Sequence, residues 1–560
     1  MESGKWIAAA ASIWIQSTAG GSYAFSIYSA VLKSTQDYDQ ATLDTVSVFK
    51  DIGANAGVLS GLLYAAVAVP SQNPSPRSQL LRLSRRWINF SLGPWVVHAA
   101  GAAQCFLGYF LMWLSVVGVI RRPHVSLMCL FMFLAAHAQT FFNTANVVTA
   151  VHNFPDYSGT IVGIMKGFLG LSGAMLIQAY QALFKGNPST FILMLALLPS
   201  LVSLLLMCVV KIYPTTKGED KKYLNGFSIV ALLVAAYLMI MIILENIFTF
   251  PSLARIATFI LLLLLLSSPL KIATQAQSKE SHRRPEASPV EGNLLMHDPL
   301  LLENDESLAH DVREYCELSS DRGQLETISG GNIFPCGESM NVLEAMSTLN
   351  FWLLFIAMAC GMGSGLATIN NMSQIGESLG YNTVERNTLV SLWSIWNFLG
   401  RFGAGYVSDI LLHNEGWARP IFMVVTQATM AAGHAIIASG FSGNLYLGTI
   451  LVGVCYGSQW SLMPTITSEI FGLQHMGTIF NTIAIASPVG SYFFSVWVIG
   501  DIYDEEAGEE KSCSGTHCFM LSFFILSSAC VFGSVVALTL FFRTRAFYRS
   551  VVLRRLQQCQ

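Results

Sequence analysis

The chain has 560 residues, 53% of them apolar and 12% charged, with a net charge of −3 and a mean hydropathy of +0.52. Ordinary soluble domains carry about a quarter charged residues, so a water-soluble globule is excluded, and the near-balanced charge leaves no field to gather nucleic acid. The 11 Cys include no CxxC and no Cys/His pair at metal-ligand spacing, which points away from a zinc site or redox chemistry.

A bilayer core about 30 Å thick needs roughly 20 mostly apolar residues per helix. About 14 stretches meet that test, at 6 to 31, 46 to 69, 93 to 120, 125 to 151, 158 to 184, 188 to 210, 226 to 248, 252 to 270, 348 to 370, 387 to 412, 420 to 440, 445 to 467, 477 to 500 and 518 to 542. Outer-membrane strands alternate apolar and polar residues, whereas 259 to 266 reads FILLLLLL, so the spans are helices. The first apolar run, 6 to 15, has the length of a signal-peptide core, but it continues to 31 without polar relief and reads as a retained helix.

Soluble sequence divides the chain. Residues 271 to 346 form the long polar stretch, read as a largely disordered cytoplasmic linker. The expected plan is all-α and integral to the membrane: a six-helix bundle over 1–225, two further transmembrane helices over 226–270, the linker, a second six-helix bundle over 347–542 and a basic tail over 543–560. Two six-helix bundles with an inserted helix pair match the build of transporters made from repeated halves.

Orientation follows from Lys and Arg. With the N-terminus cytoplasmic, 21 of the 31 fall on the inside and six outside, leaving Lys50, Lys166, Arg255 and Arg401 within spans. Arg121 and Arg122 are the local exception.

The second span of the last six ends in GRFGAGYVSD, 400 to 409, with Arg419-Pro420 opening the next. This resembles the G-R-x-x-x-G-x-x-S-D loop signature of the major facilitator superfamily, at the place where that superfamily carries it. Longer runs, SIWIQSTAGGSYAFSIYSAVLKS (12 to 34), FFNTANVVTAVHNFPDYSGTIVGIMKGFLGLSGA (141 to 174), LNGFSIVALLVAAYLM (224 to 239) and SQWSLMPTITSEIFG (458 to 472), resemble the nodulin-like proteins of plants and their nuclear-fusion-defective subgroup. The resemblance implies a major facilitator fold and transport of a small solute, with a distant likeness to oxalate and formate exchangers. Two departures stand out: the first half lacks the usual G-x-x-x-D-R-x-G-R-R loop, and residues 70 to 92 lengthen a normally short connection.

Arg401, Gly405 and Asp409 follow one helical face at four-residue steps. They are expected, with Arg419 and Glu469, either to brace a cytoplasmic gate or to form a static charge cluster that fixes topology. An ionisable group deep in a span is costly and points to function. Lys166 fits contact with an anionic substrate or a structural role bonded to carbonyls. Lys50 and Asp51 point about 100° apart on their helix and are expected to find separate partners; Asp51 reads as a proton-coupling carboxylate or a side chain snorkelling to the surface. Gln139, Asn143 and Asn146 share a face, and Asn371, Asn397 and Gln459 place amides in the second half. Each fits a pathway lining or interhelical hydrogen bonding. A Cys513–Cys518 disulfide fits the acidic outer loop.

No nucleophile elbow, phosphate loop or metal-binding helix occurs, so no catalytic residues, cofactor or metal are expected. The leading reading is a secondary active transporter working by alternating access, with an organic anion as the favoured cargo and a proton or counter-ion as its coupling partner. The alternative is a scaffold or sensor that keeps the fold and signals through its linker. Its place is the plasma membrane or an endomembrane such as the vacuole, spanned many times. The charge count predicts both termini and the linker on the cytoplasmic side; tags in the linker and the tail should share one protease accessibility, and opposite accessibility would refute the topology.

Overall fold

The computed structural model describes residues 4–68, 93–184, 188–213, 219–248, 250–283, 339–441, 443–507 and 513–552. The 70–92 insertion, most of the central linker and the end of the basic tail lie outside these residues. Every element among the described residues is helical. Length and composition put 11 of these helices in the membrane-spanning class.

The first span is two helices, α1 (Lys5–Thr18) and α2 (Phe25–Gln36), joined through a short turn at Gly21–Ala24. At the break, a β-carbon on Gly20 would strike Ser172, so the backbone passes close to another helix there. The second span is likewise broken at Ala56 and Gly57, between α3 (Gln40–Asn55) and α4 (Val58–Ala68). Asp39 starts α3 by accepting a 2.8 Å bond from the Thr42 amide, and its hydrogen bonds with Thr42 hold its carboxyl below the usual range. The rest of the first half is α5 (Pro94–Val117), α6 (Val125–Asn153), α7 (Ser158–Leu183) and α8 (Pro188–Leu206).

The inserted pair is α9 (Asp220–Ile247) and α10 (Ser252–Arg283). Here the structure corrects one boundary: the stretch read as linker from residue 271 remains helical to Arg283. Its polar residues extend α10 beyond its apolar run, which a hydropathy pattern reads as the end of the span. After α11 (Val342–Ser347) come α12 (Leu349–Ser378), α13 (Thr383–Glu415), α14 (Pro420–Ala438), α15 (Asn444–Ile470), α16 (Met476–Ala484) and α17 (Ala486–Tyr492). A π-helical stretch, Phe493–Gly500, leads into α18 (Asp501–Ala507), and α19 (His517–Phe547) closes the bundle. Asn382 and Glu385 form a capping box at the start of α13, and Gly416, at φ 68°, ends it in the left-handed conformation.

The inserted pair straddles both halves. Lys5 of α1, 3% exposed, makes bonds of 2.8 and 3.0 Å to Asp220 of α9, and the Trp6 indole donates to Glu280 of α10 at 3.1 Å. Gln178 of α7 donates to Tyr237 of α9, which donates to the Thr258 carbonyl of α10. On the other half, Tyr406 of α13 donates to Asn225 of α9 at 3.2 Å.

The halves meet at two places. Gly159, Gly163 and Gly167 let α7 lie against α13, and Gly57, Gly61 and Gly477 let α4 lie against α16. At the second contact Asn481 donates across to Thr144 at 2.8 Å, and Thr144 shares a 2.7 Å bond with Ser60 of its own half. The Cys513 and Cys518 sulfurs are joined in a disulfide, in a loop whose Gly515 amide donates to the Ser378 carbonyl at the end of α12.

Breaking a buried ion pair by removing one partner costs about 3 kcal/mol. Asp220→Asn should therefore lower the stability of the detergent-solubilised protein by about that much, with Lys5→Met/Asp220→Leu recovering most of it; chemical or thermal unfolding measures both.

Candidate functional site

Two sets of polar side chains occupy the region where the halves meet. The first lies at the end of the bundle that also carries Lys5 and Tyr548, here called the terminal end. α13 delivers Asp409, 2% exposed, to the first turn of α7, where its carboxylate accepts from the amides of Gly159 at 3.1 Å and Thr160 at 2.5 Å. The first amides of a helix lack a carbonyl partner within it, and the helix dipole favours an anion at this end.

Arg419, just before α14 and 1% exposed, completes the cluster. Its guanidinium bonds Asp409 at 2.6 Å, Glu469 at 2.7 Å and the Ser408 hydroxyl at 2.7 Å, and reaches Ser158 of the first half at 3.5 Å. Tyr548, from the end of the chain, donates to the second Glu469 oxygen at 2.8 Å. His413 lies 2.7 Å from the Asp409 carbonyl and stacks on Tyr157 of the first half. Gly405 packs backbone to backbone against Gly159, where any side chain would collide.

Gly405, Asp409, Arg419 and Glu469 are thus brought together; Arg401 is not. This corrects the expectation that Arg401 shares the cluster. Eight residues at 100° each leave Arg401 rotated by about 80° from Asp409 and displaced by about 12 Å along the helix. It turns into the second set, donating to Asn397 at 2.8 Å, to the Lys166 carbonyl of α7 at 3.0 Å and to the Tyr23 hydroxyl at 3.4 Å.

The second set holds two buried cations. Lys166 and Arg401 are each 1% exposed, and neither has a carboxylate partner among the described residues. The Lys166 ammonium sits 5.0 Å from the Trp460 ring centre and 5.3 Å from that of Phe480, and the Arg401 guanidinium lies 5.7 Å from the same Trp460 ring. Tyr23, at the break in the first span, is 45% exposed while its hydroxyl contacts Arg401, so the guanidinium lies one side chain from open space.

The remaining polar residues are spread out. Gln139 accepts from Ser22 at 2.5 Å and Asn143 from Gln16 at 3.4 Å, both across helices. Asn146 is buried, and its amide has no hydrogen-bond partner in the described structure. Asn371 bonds the Ala367 carbonyl of its own helix, and Gln459 meets the Met430 sulfur at 3.6 Å. Lys50 and Asp51, expected to find separate partners, instead pair at 3.1 Å. The long lysine stem bridges the 100° between them, while the ammonium lies 5.2 Å from the Phe25 ring centre.

Sequence reasoning missed Tyr23, Phe480, Ser158, Ser408, Tyr548 and the Ser60, Thr144 and Asn481 contact. A small-residue approach marks two of these in hindsight: Gly20-Gly21 before Tyr23, and Gly477 one turn before Asn481. Among the described residues, the group with clustered metal-ligand types is Cys513, His517 and Cys518, but its two sulfurs are bonded to each other.

A family model described as Nodulin-like matches residues 5–72 and 86–274, and one described as NFD4, C-terminal domain, matches 334–550. Protein NUCLEAR FUSION DEFECTIVE 4 of Arabidopsis thaliana is 27% identical, over 97% of this chain and 89% of that protein. A probable transporter, MCH1 of Yarrowia lipolytica, is 27% identical over 41% of this chain and 48% of its own length. Among solved structures, the proton:xylose symporter XylE superposes with a TM-score of 0.51 at 10% identity, over 95% of this chain and 94% of that one. The human organic anion transporter MFSD10 superposes with a TM-score of 0.50 at 9% identity, over 95% and 99%. The chain belongs to the nodulin-like, nuclear-fusion-defective-like family and has the major facilitator fold.

Proposed function

We propose that the protein is a secondary active transporter that moves a small organic anion by alternating access, and that its activity is transport rather than catalysis. The observation that carries the cargo assignment is the pair of buried cations, Lys166 and Arg401, without a carboxylate among the described residues. A buried charge needs a compensating partner. A cargo carboxylate drawn in beside Tyr23 supplies it, and Trp460 and Phe480 form an apolar wall for the rest of the solute. The relative named a probable transporter supports the transport reading.

In this proposal the structure has its terminal end closed. The α7 contact with α13 runs from Gly159 to Gly170, where a β-carbon would lie 3.6 Å from Arg401, and beyond it Gly173 packs on Tyr23 of its own half. The charge count places the closed end in the cytoplasm, so the state is outward-facing. Asp51, a carboxylate within a span, takes the proton-coupling role, with Lys50 as the cation that its protonation would release.

Two outcomes test this reading. Lys166→Gln should reduce organic-anion uptake into proteoliposomes at least about tenfold with folding preserved, while Lys166→Arg keeps the charge and part of the activity. Normal uptake by Lys166→Gln, or acceptance of neutral or cationic solutes alone, would remove the anion assignment. Separately, Gly405→Leu should hold α13 off α7, abolish turnover and leave membrane insertion intact. A cysteine placed at Ser461, whose hydroxyl a β-carbon on Gly405 would approach to 2.9 Å, should then become reactive from the terminal side; protection unchanged from the parent would contradict closure at this contact.

A further inference from the structure

The inserted helices create a feature that the transport reading does not use. At the terminal end, α9 and α10 enclose a groove of about 530 Å³ lined by Lys222, Tyr223, Thr274, Gln275, Ser278 and Lys279. Two ammonium groups, the Ser278 hydroxyl and the Gln275 amide offer donors to the groove, while the Thr274 hydroxyl donates to the Lys271 carbonyl at 2.9 Å. Lys279 has no carboxylate partner among the described residues. Lys222 lies 3.4 Å from Glu219, and with the two 63% and 42% exposed, an incoming anion displaces that pair at little cost. The neighbouring acids, Asp220 and Glu280, are turned away to Lys5 and Trp6, which leaves the groove cationic.

Its position names the ligand. On α10 the exposed apolar side chains Leu264 and Leu270 face outward, and Leu270 stands about one turn, or 6 Å, before Thr274. The surface suited to acyl chains therefore ends where the cationic groove begins, at the depth of a lipid headgroup. We infer that this groove binds the phosphorylated headgroup of an anionic membrane lipid, with Lys222 and Lys279 on the phosphate and Ser278 and Gln275 donating to its oxygens. Basic pockets between transmembrane helices bind such headgroups. A lipid seated here is held by both inserted helices, and α9 touches both halves of the bundle.

Delipidated full-length protein in detergent, titrated with a short-chain phosphatidylinositol 4-phosphate and with the matching phosphatidylcholine, tests the inference by native mass spectrometry. The anionic lipid should bind at least about tenfold more tightly than phosphatidylcholine. Lys222→Gln/Lys279→Gln should erase that preference, while Lys221→Gln/Lys271→Gln, on exposed lysines outside the groove, should leave it within about twofold. Equal loss in the two double variants would reduce the effect to diffuse charge attraction and overturn the site. Absence of any headgroup preference would overturn it too. Inorganic phosphate that displaces the lipid at comparable concentration would identify a soluble phosphate as the ligand and contradict the lipid assignment.

Discussion

The structure depends most on a carboxylate held in the first turn of a helix from the other half. Asp409 is supplied by α13 and bound by the first-turn amides of α7 at Gly159 and Thr160. Taking a carboxylate out of water costs several kcal/mol, and here the desolvation is offset by two amide donors, the helix dipole and the Arg419 guanidinium. Because donors and acceptor belong to opposite halves, the interaction exists only while the halves are together. Charge-assisted hydrogen bonds of this kind are strong when formed and leave costly orphans when broken. In the proposed transport cycle this contact would be the one that opens and closes.

Small residues make that contact reachable. A side-chain carboxyl can cap a neighbouring helix only if the two backbones nearly touch, and Gly159 against Gly405 permits this. Gly163 and Gly167 carry the same approach inward until the helices reach Arg401 and Phe398. The second contact, α4 on α16, uses glycine as well, but its polar core is neutral: Ser60, Thr144 and Asn481. One contact is charged and the other is not.

Much of this was legible in the sequence, because the bilayer imposes lengths on helices and the facilitator motif marks one loop. The motif placed Gly405, Asp409 and Arg419, and the TSEIF run placed Glu469. What the motif did not reveal is direction. Four-residue steps drift by about 40° each, so Arg401 turns from the cluster that its spacing suggested and faces Lys166 instead. The Lys50 and Asp51 pair was lost to the opposite error, since backbone angles were applied to a side chain long enough to ignore them. Tyr23 was hidden because it sits at a break in a helix that hydropathy reads as continuous, and Asn481 because its partners lie on α4 and α6, far away in sequence.

The central claim is that Asp409 holds the halves together at the terminal end. Distances between spin labels measure this directly, with one pair on exposed Lys211 and Glu415 at the terminal end and one on exposed Ser34 and Gln374 at the other. Asp409→Asn should shift population toward a longer terminal distance and a shorter opposite distance, in the same molecules and without loss of fold. Identical distance distributions in parent and variant at both ends would contradict the account and leave Asp409 as part of a static charge cluster.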